Sequence, residues 1–227
     1  MLSALLSGEK IDFITVLVYV LSSLAVIFLT LPIHEFAHAF TADKLGDPTP
    51  RYQRRLTLNP FAHIDYFGAL CILLFGYGWA KPVQVNAYNF KNSKTGMALV
   101  ALAGPLSNLV LAFVSGLLLN VAVLLLYNTG LTLFFYLMLF FRYIAQINVY
   151  LAVFNLIPVP PLDGSRILGV ILSSKTYFKI MQYERYIYII LMALLFTGAL
   201  DVPLDIISGS VMKFIMNLSQ LPFNLLV

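Results

Sequence analysis

Residues 11–40 read IDFITVLVYVLSSLAVIFLTLPIHEFAHAF. Within 11–33 the one charged residue is Asp12, and the run exceeds the roughly 20 apolar residues a helix needs to cross a hydrocarbon core. A helix satisfies its own backbone hydrogen bonds, so such a stretch is expected to span a bilayer. Pro32 breaks the hydrogen-bond ladder, and the helix is expected to bend there and continue to Ala42.

The rest of the chain has the same character. Of 227 residues 60% are apolar and 11% charged, and the mean hydropathy is +0.89, which places the protein in a membrane. Apolar runs at 97–127 and 131–157 are expected to form a second and a third spanning helix, and 186–200 a fourth. An acidic loop at 201–205 and a weaker apolar segment follow. Between the first and second spans, the polar stretch 43–65 carries Lys44, Arg51, Arg54, Arg55 and three prolines, and reads as a surface loop. The run 66–78 is too short to cross and is expected to be re-entrant. Residues 79–86 alternate after Pro82 and suit a short edge strand. The expected fold is an all-α polytopic membrane protein of about four to five transmembrane helices, plus a re-entrant segment with a short β-like edge strand. It forms a single domain over residues 1–227 with no appended soluble domain.

The formal charge of +4 is scattered among apolar segments and makes no basic stripe, which excludes nucleic acid as a partner. The basic residues read as topology signals. If 66–78 dips in and returns, every Lys- and Arg-rich loop falls on one side, expected to be cytoplasmic. Cys71 is the one cysteine, so no disulfide forms within the chain, and a small buried hydrophobe is its ordinary role.

His34-Glu35-Phe36-Ala37-His38 puts two imidazoles four residues apart on one helix face, where both can reach one metal ion, with Glu35 close enough to act on a bound water. This is a zinc-hydrolase pattern. Scarcity argues against chance: the chain has three histidines, and its glutamates are Glu9, Glu35 and Glu184. An ionisable residue inside a membrane helix costs roughly 2.5–3.5 kcal/mol on insertion scales, so such residues mark function. His34 lies on the order of 13 Å along the helix from Asp43, below the membrane surface, and hydrolysis there requires a water-filled cavity.

A catalytic zinc takes three protein ligands and keeps one open position. Position 44, where a third histidine would fall in HExxHxxGxxH, is Lys44, and no glutamate follows until Glu184. The candidates are His63, Asp65 and Asp163. Asp163 closes the stretch Asn155-Leu156-Ile157-Pro158-Val159-Pro160-Pro161-Leu162-Asp163-Gly164, where it either faces a cavity or caps a helix starting near Gly164. The first and third spans both run toward the basic side, so HEFAH and Asp163 reach the same face.

HEFAH on a membrane helix and NLIPVPPLDG after a later one together resemble the site-2 protease family of intramembrane metalloproteases. LTLNPFAHID, FGYGWAKPVQVN and ALAGPLSN are similar to its small prokaryotic branch without PDZ or CBS domains, over about residues 30–170. The resemblance implies one zinc held by His34, His38 and Asp163, Glu35 as general base, and Asn155 as a partner of the substrate or its oxyanion. It also implies a re-entrant element that engages substrate as an added strand. Gly76, Gly78, Trp79, Val83 and Val85 are its counterparts here, and these residues and Asn108 of ALAGPLSN are expected to contact substrate. His63 is left open as a ligand in a resting state, a partner of a ligand or a loop-packing residue.

The expected activity is zinc-dependent hydrolysis of peptide bonds within or near transmembrane segments of other membrane proteins, in the plasma membrane with the site toward the cytoplasm. Alternatives are a divalent metal transporter, which needs more ligands along a path, and an inactive relative that binds membrane helices. A membrane zincin of another type would need a glutamate as third ligand, and only Glu184 follows the motif.

Overall fold

The computed structural model describes residues 12–75 and 78–224. Helix α1, Phe13–Lys44, runs unbroken through the motif. The proline is accommodated by a wider turn: Val26–Thr30 is π-helical, and the Leu31 N–H donates to the Val26 carbonyl. Pro32 has no N–H to give, and the π turn lets the helix proceed past its ring without ending.

Helix α2, Tyr66–Phe75, is ten residues long, on the order of 15 Å and so half a hydrocarbon core. The Asp65 carboxylate starts it by accepting the Gly68 N–H at 2.8 Å. Helices α3, Ser93–Thr129, and α4, Thr132–Asn155, form a hairpin closed by Gly130, whose φ of +67° a glycine adopts without strain. With α1 they are the described helices long and apolar enough to cross a membrane. Short α5, Gly164–Ile171, and α6, Ser174–Met181, lead to α7, Glu184–Phe196, and α8, Asp201–Gln220.

Two expectations change here. The fourth helix is shorter than a span: α7 stops at Phe196 after 13 residues, Gly198 turns the chain with φ +72°, and the expected acidic loop is the first turn of α8. Asp201 at a helix N-terminus is favoured by the exposed N–H groups there, and Pro203 needs no hydrogen-bonded N–H in a first turn. The edge strand also does not form as such. Among the described residues β pairing is confined to one antiparallel bridge between Ile64 and Ala80, beside a 2.8 Å bond from Lys81 N–H to the His63 carbonyl. Pro82 removes one ladder donor, and side chains rather than a second strand take the N–H groups of Val83 and Asn86.

Lipid gives helices no hydrophobic reason to associate, so packing and polar contacts hold them. Ser22 donates to the Phe140 carbonyl at 3.2 Å, and Asn148 to Thr30 Oγ1 at 3.2 Å, joining α1 to α4. Buried Val26, Ile27 and Leu31 meet Ile72 of α2 and Ile147 and Leu151 of α4. Ala112, Val149, Val153, Leu195, Leu204 and Ile215 make a second core among α3, α4, α7 and α8. Cys71 is buried, in keeping with its apolar role.

Candidate functional site

The second half of α1 buries His34, Glu35 and His38. The helical repeat stacks the two rings edge to face, with their Nε2 atoms 3.0 Å apart. His38 Nδ1 lies 2.7 Å from the Val100 carbonyl of α3, a bond it makes by carrying the proton there, which leaves the Nε2 lone pair for a ligand. On α3, Gly104 gives the rings room: a β-carbon there would overlap His38 Nε2 and stand 2.5 Å from His34 Cε1.

Asp163 stands at the N-cap of α5 but makes no capping bond. Its Oδ2 lies 3.2 Å from His38 Nε2 and 3.4 Å from His34 Nε2. Gly164 makes the turn possible, since a β-carbon would collide with the carbonyls of Leu156 and Ile157. Three edges of 3.0, 3.2 and 3.4 Å suit ligands about 2.0–2.1 Å from a shared tetrahedral ion. Two imidazole nitrogens and a carboxylate oxygen converging within 3.4 Å of one another form a donor set that a cation fits.

The other two ligand candidates lie elsewhere. His63 is fully buried under its loop and donates from Nε2 to the Thr57 carbonyl at 2.8 Å, which is a loop-packing role. Asp65 is occupied in starting α2.

A cavity of about 290 Å³ opens beside the three residues. Glu35, Asn108 and Asn155 line it with His34 and Asp163, and Gly78 and Trp79 form part of its wall. Glu35 Oε2 accepts the Val83 N–H at 2.9 Å. Asn155 donates from Nδ2 to the Leu151 carbonyl one turn back. Asn108 is fully buried, and neither its Oδ1 nor its Nδ2 has a partner. Gly68 of α2 meets Gly78 and Trp79 so closely that a β-carbon on either glycine would strike backbone, so residues 78–80 lie directly on α2. Val83 and Val85 contribute no lining, and Val85 packs instead against a small core of Ala42, Phe90 and Val100. Gly76 lies outside the described residues.

Two residues that sequence reasoning passed over organise the loops beside the cavity. Buried Arg55 donates to the carbonyls of Ala62, Lys81 and Pro82. Buried Asp47 accepts from Thr49, Asn86 and Asn89. Burial pushes the Asp47 carboxyl upward, but the hydrogen bonds from Thr49, Asn89 and Asn86 outweigh it and hold the group below the usual carboxylate range. In the sequence both read as surface charges, and nothing local marks them otherwise.

Comparison with known proteins returns one consistent group. The family model described as Peptidase family M50 matches residues 121–198. YwhC of Bacillus subtilis, provisionally named a zinc metalloprotease, is 41% identical over 191 residues, covering 80% of this chain and 84% of its own. Rip2 of Mycolicibacterium smegmatis, named in the same way, is 31% identical over 184 residues, 76% of this chain and 66% of its own. MJ0611 of Methanocaldococcus jannaschii, again so named, is 35% identical over 101 residues, 44% and 48% of the two chains. No solved structure matches.

Proposed function

The chain belongs to peptidase family M50, the site-2 protease family, and from that premise we propose that it is a zinc endopeptidase that cleaves transmembrane segments of other membrane proteins inside the bilayer. The observation that carries this reading is the meeting of His34 and His38 on α1 with Asp163 after α4, beside a cavity that Glu35 also lines.

His34, His38 and Asp163 would hold one zinc ion per chain. Bound there, zinc would polarise a peptide carbonyl and lower the pKa of a water toward 7. Glu35 takes the proton of the attacking water at its carboxylate and passes it to the leaving amine. Asn155 stabilises charge developing on the carbonyl oxygen. Asn108, whose amide has no partner within the protein, offers a donor and an acceptor to a peptide group of the substrate. A helical substrate must unwind before its carbonyl is open to attack, and Gly78, Trp79 and the extended residues after them would receive the unwound chain. The chain acts as one membrane-embedded unit, and its Lys- and Arg-rich loops support a plasma-membrane orientation with the site toward the cytoplasm.

A metal transporter would carry further ligands along a path through the membrane. Among the described residues a single group of potential ligands is present, which favours hydrolysis.

The test is cleavage of synthetic single-span peptides reconstituted in vesicles with purified protein, followed by mass spectrometry. Wild-type protein releases defined fragments, and Glu35→Gln keeps about one zinc yet loses at least about a hundredfold in rate. Cleavage by Glu35→Gln at the wild-type rate would overturn the assignment.

A further inference from the structure

Residues 79–86 pass alongside Glu35 without a partner strand, and side chains from the 47–55 loop fix their course. Arg55 is 8% exposed and pairs with no carboxylate among the described residues. A buried guanidinium needs its donors satisfied, and here neutral carbonyls satisfy them. Nη2 donates to both Lys81 O and Pro82 O at 3.2 Å, and Nη1 to Ala62 O. The next N–H along the chain is that of Val83, which donates to Glu35 Oε2 at 2.9 Å. Beyond it, the Asn86 N–H reaches Asp47 Oδ2 at 2.7 Å, and Asn89 Nδ2 reaches Asp47 Oδ1 at 2.6 Å. Two buried charges thus pin the backbone on either side of the amide that touches Glu35.

We infer that Arg55 is a positioning residue for Glu35: by gripping the Lys81 and Pro82 carbonyls it sets the Val83 N–H against one carboxylate oxygen. The carboxylate then has one orientation, with the second oxygen outside that bond. A planar fork of donors is required, because three carbonyls from two segments converge on one side chain, and a lysine ammonium presents no such fork. The inference rests on Glu35 being the general base of the proposed protease.

The experiment uses the full chain in vesicles with whichever single-span peptide the wild type cleaves, and compares Arg55→Met, Val83→Pro and the double variant. Arg55→Met lowers kcat about ten- to a hundredfold through misplacement of the base, with KM within about twofold. Zinc content stays at the wild-type value, and Tm falls by only a few degrees as three carbonyls lose their donor. Val83→Pro, which deletes the same N–H, falls similarly, and the double variant is no slower than the slower single one, because both act through one hydrogen bond. Unchanged kcat in Arg55→Met, losses that multiply in the double variant, or a loss of zinc that accounts for the fall would each overturn the inference. Should Arg55→Met not fold, Arg55→Lys keeps the charge without the fork and enters the same cycle with the same expected pattern. A fully active Arg55→Met beside an inactive Glu35→Gln sinks this inference alone, whereas an active Glu35→Gln sinks the protease reading beneath it.

Discussion

Gly104 lies against the His38 ring so closely that a β-carbon at position 104 would overlap Nε2 and stand 2.6 Å from Cε1. The histidine pair therefore depends on a missing side chain one helix away. Gly104→Ala should improve α3 as a helix by up to about 1 kcal/mol while pushing the rings apart. The expected outcome is retained helicity by circular dichroism with zinc content well below one per chain. Full zinc in Gly104→Ala would mean that the rings have room to spare.

Metal content also tests whether two distant motifs form one site. Elemental analysis of purified protein should find about one zinc per wild-type chain, with tenfold or greater weakening in both His34→Ala and Asp163→Ala. His63→Ala should keep its zinc, since that ring is bonded to the Thr57 carbonyl rather than facing the pair. Zinc unaffected by Asp163→Ala would leave the 3.2 Å approach to His38 without a metal to explain it.

Asn108 lines the cavity, and neither of its amide atoms has a partner within the protein. Replacing it by leucine of similar size removes no hydrogen bond within the protein, so stability should change by less than about 1 kcal/mol. Cleavage should fall, an activity loss without a matching loss of stability. The pair of measurements is Tm in detergent and kcat/KM in vesicles. Unchanged kcat/KM in Asn108→Leu would remove the amide from substrate binding.

Asp47 makes an acid-dependent contribution with a definite sign. Its carboxyl is held below the ordinary range in the fold, so its stabilisation is present above the unfolded pKa of about 3.9 and is lost as pH falls through the lowered folded value. The stability gap between wild type and Asp47→Asn should be full at pH 6–7 and narrow steadily below about pH 4. Thermal melts across that range measure it, and a gap independent of pH would remove the charge from the explanation.

Much of this protein is legible along the chain because local physics decides it. Long apolar runs with so few charges have no stable place outside lipid, which sets α1, α3 and α4. Two histidines four residues apart must share a helix face, which sets half of the ligand group before any folding. At the close of the chain the acidic residues at 201–205 mark a break but not its place, which depends on how Gly198 turns and how Asp201 starts a helix. The strand expected at 79–86 was misread for a related reason: alternation predicts an extended backbone but not what bonds it.

The sequence by itself determined the solvent, the long helices that cross it and the shared helix face of His34 and His38 beside Glu35, since hydropathy and helical spacing are properties of adjacent residues. The residues alone leave Asp163, His63 and Asp65 open as third ligand and the family resemblance points to Asp163, which the tertiary structure brings to the histidines. Only that structure decided that Gly104 makes room for them, that Asn108 lines the cavity without a protein partner, and that Arg55 and Asp47 hold the backbone beside Glu35. Each of those facts is a relation between segments far apart in the chain. Such relations come from how helices pack and loops close over one another, and no local pattern of residues encodes them.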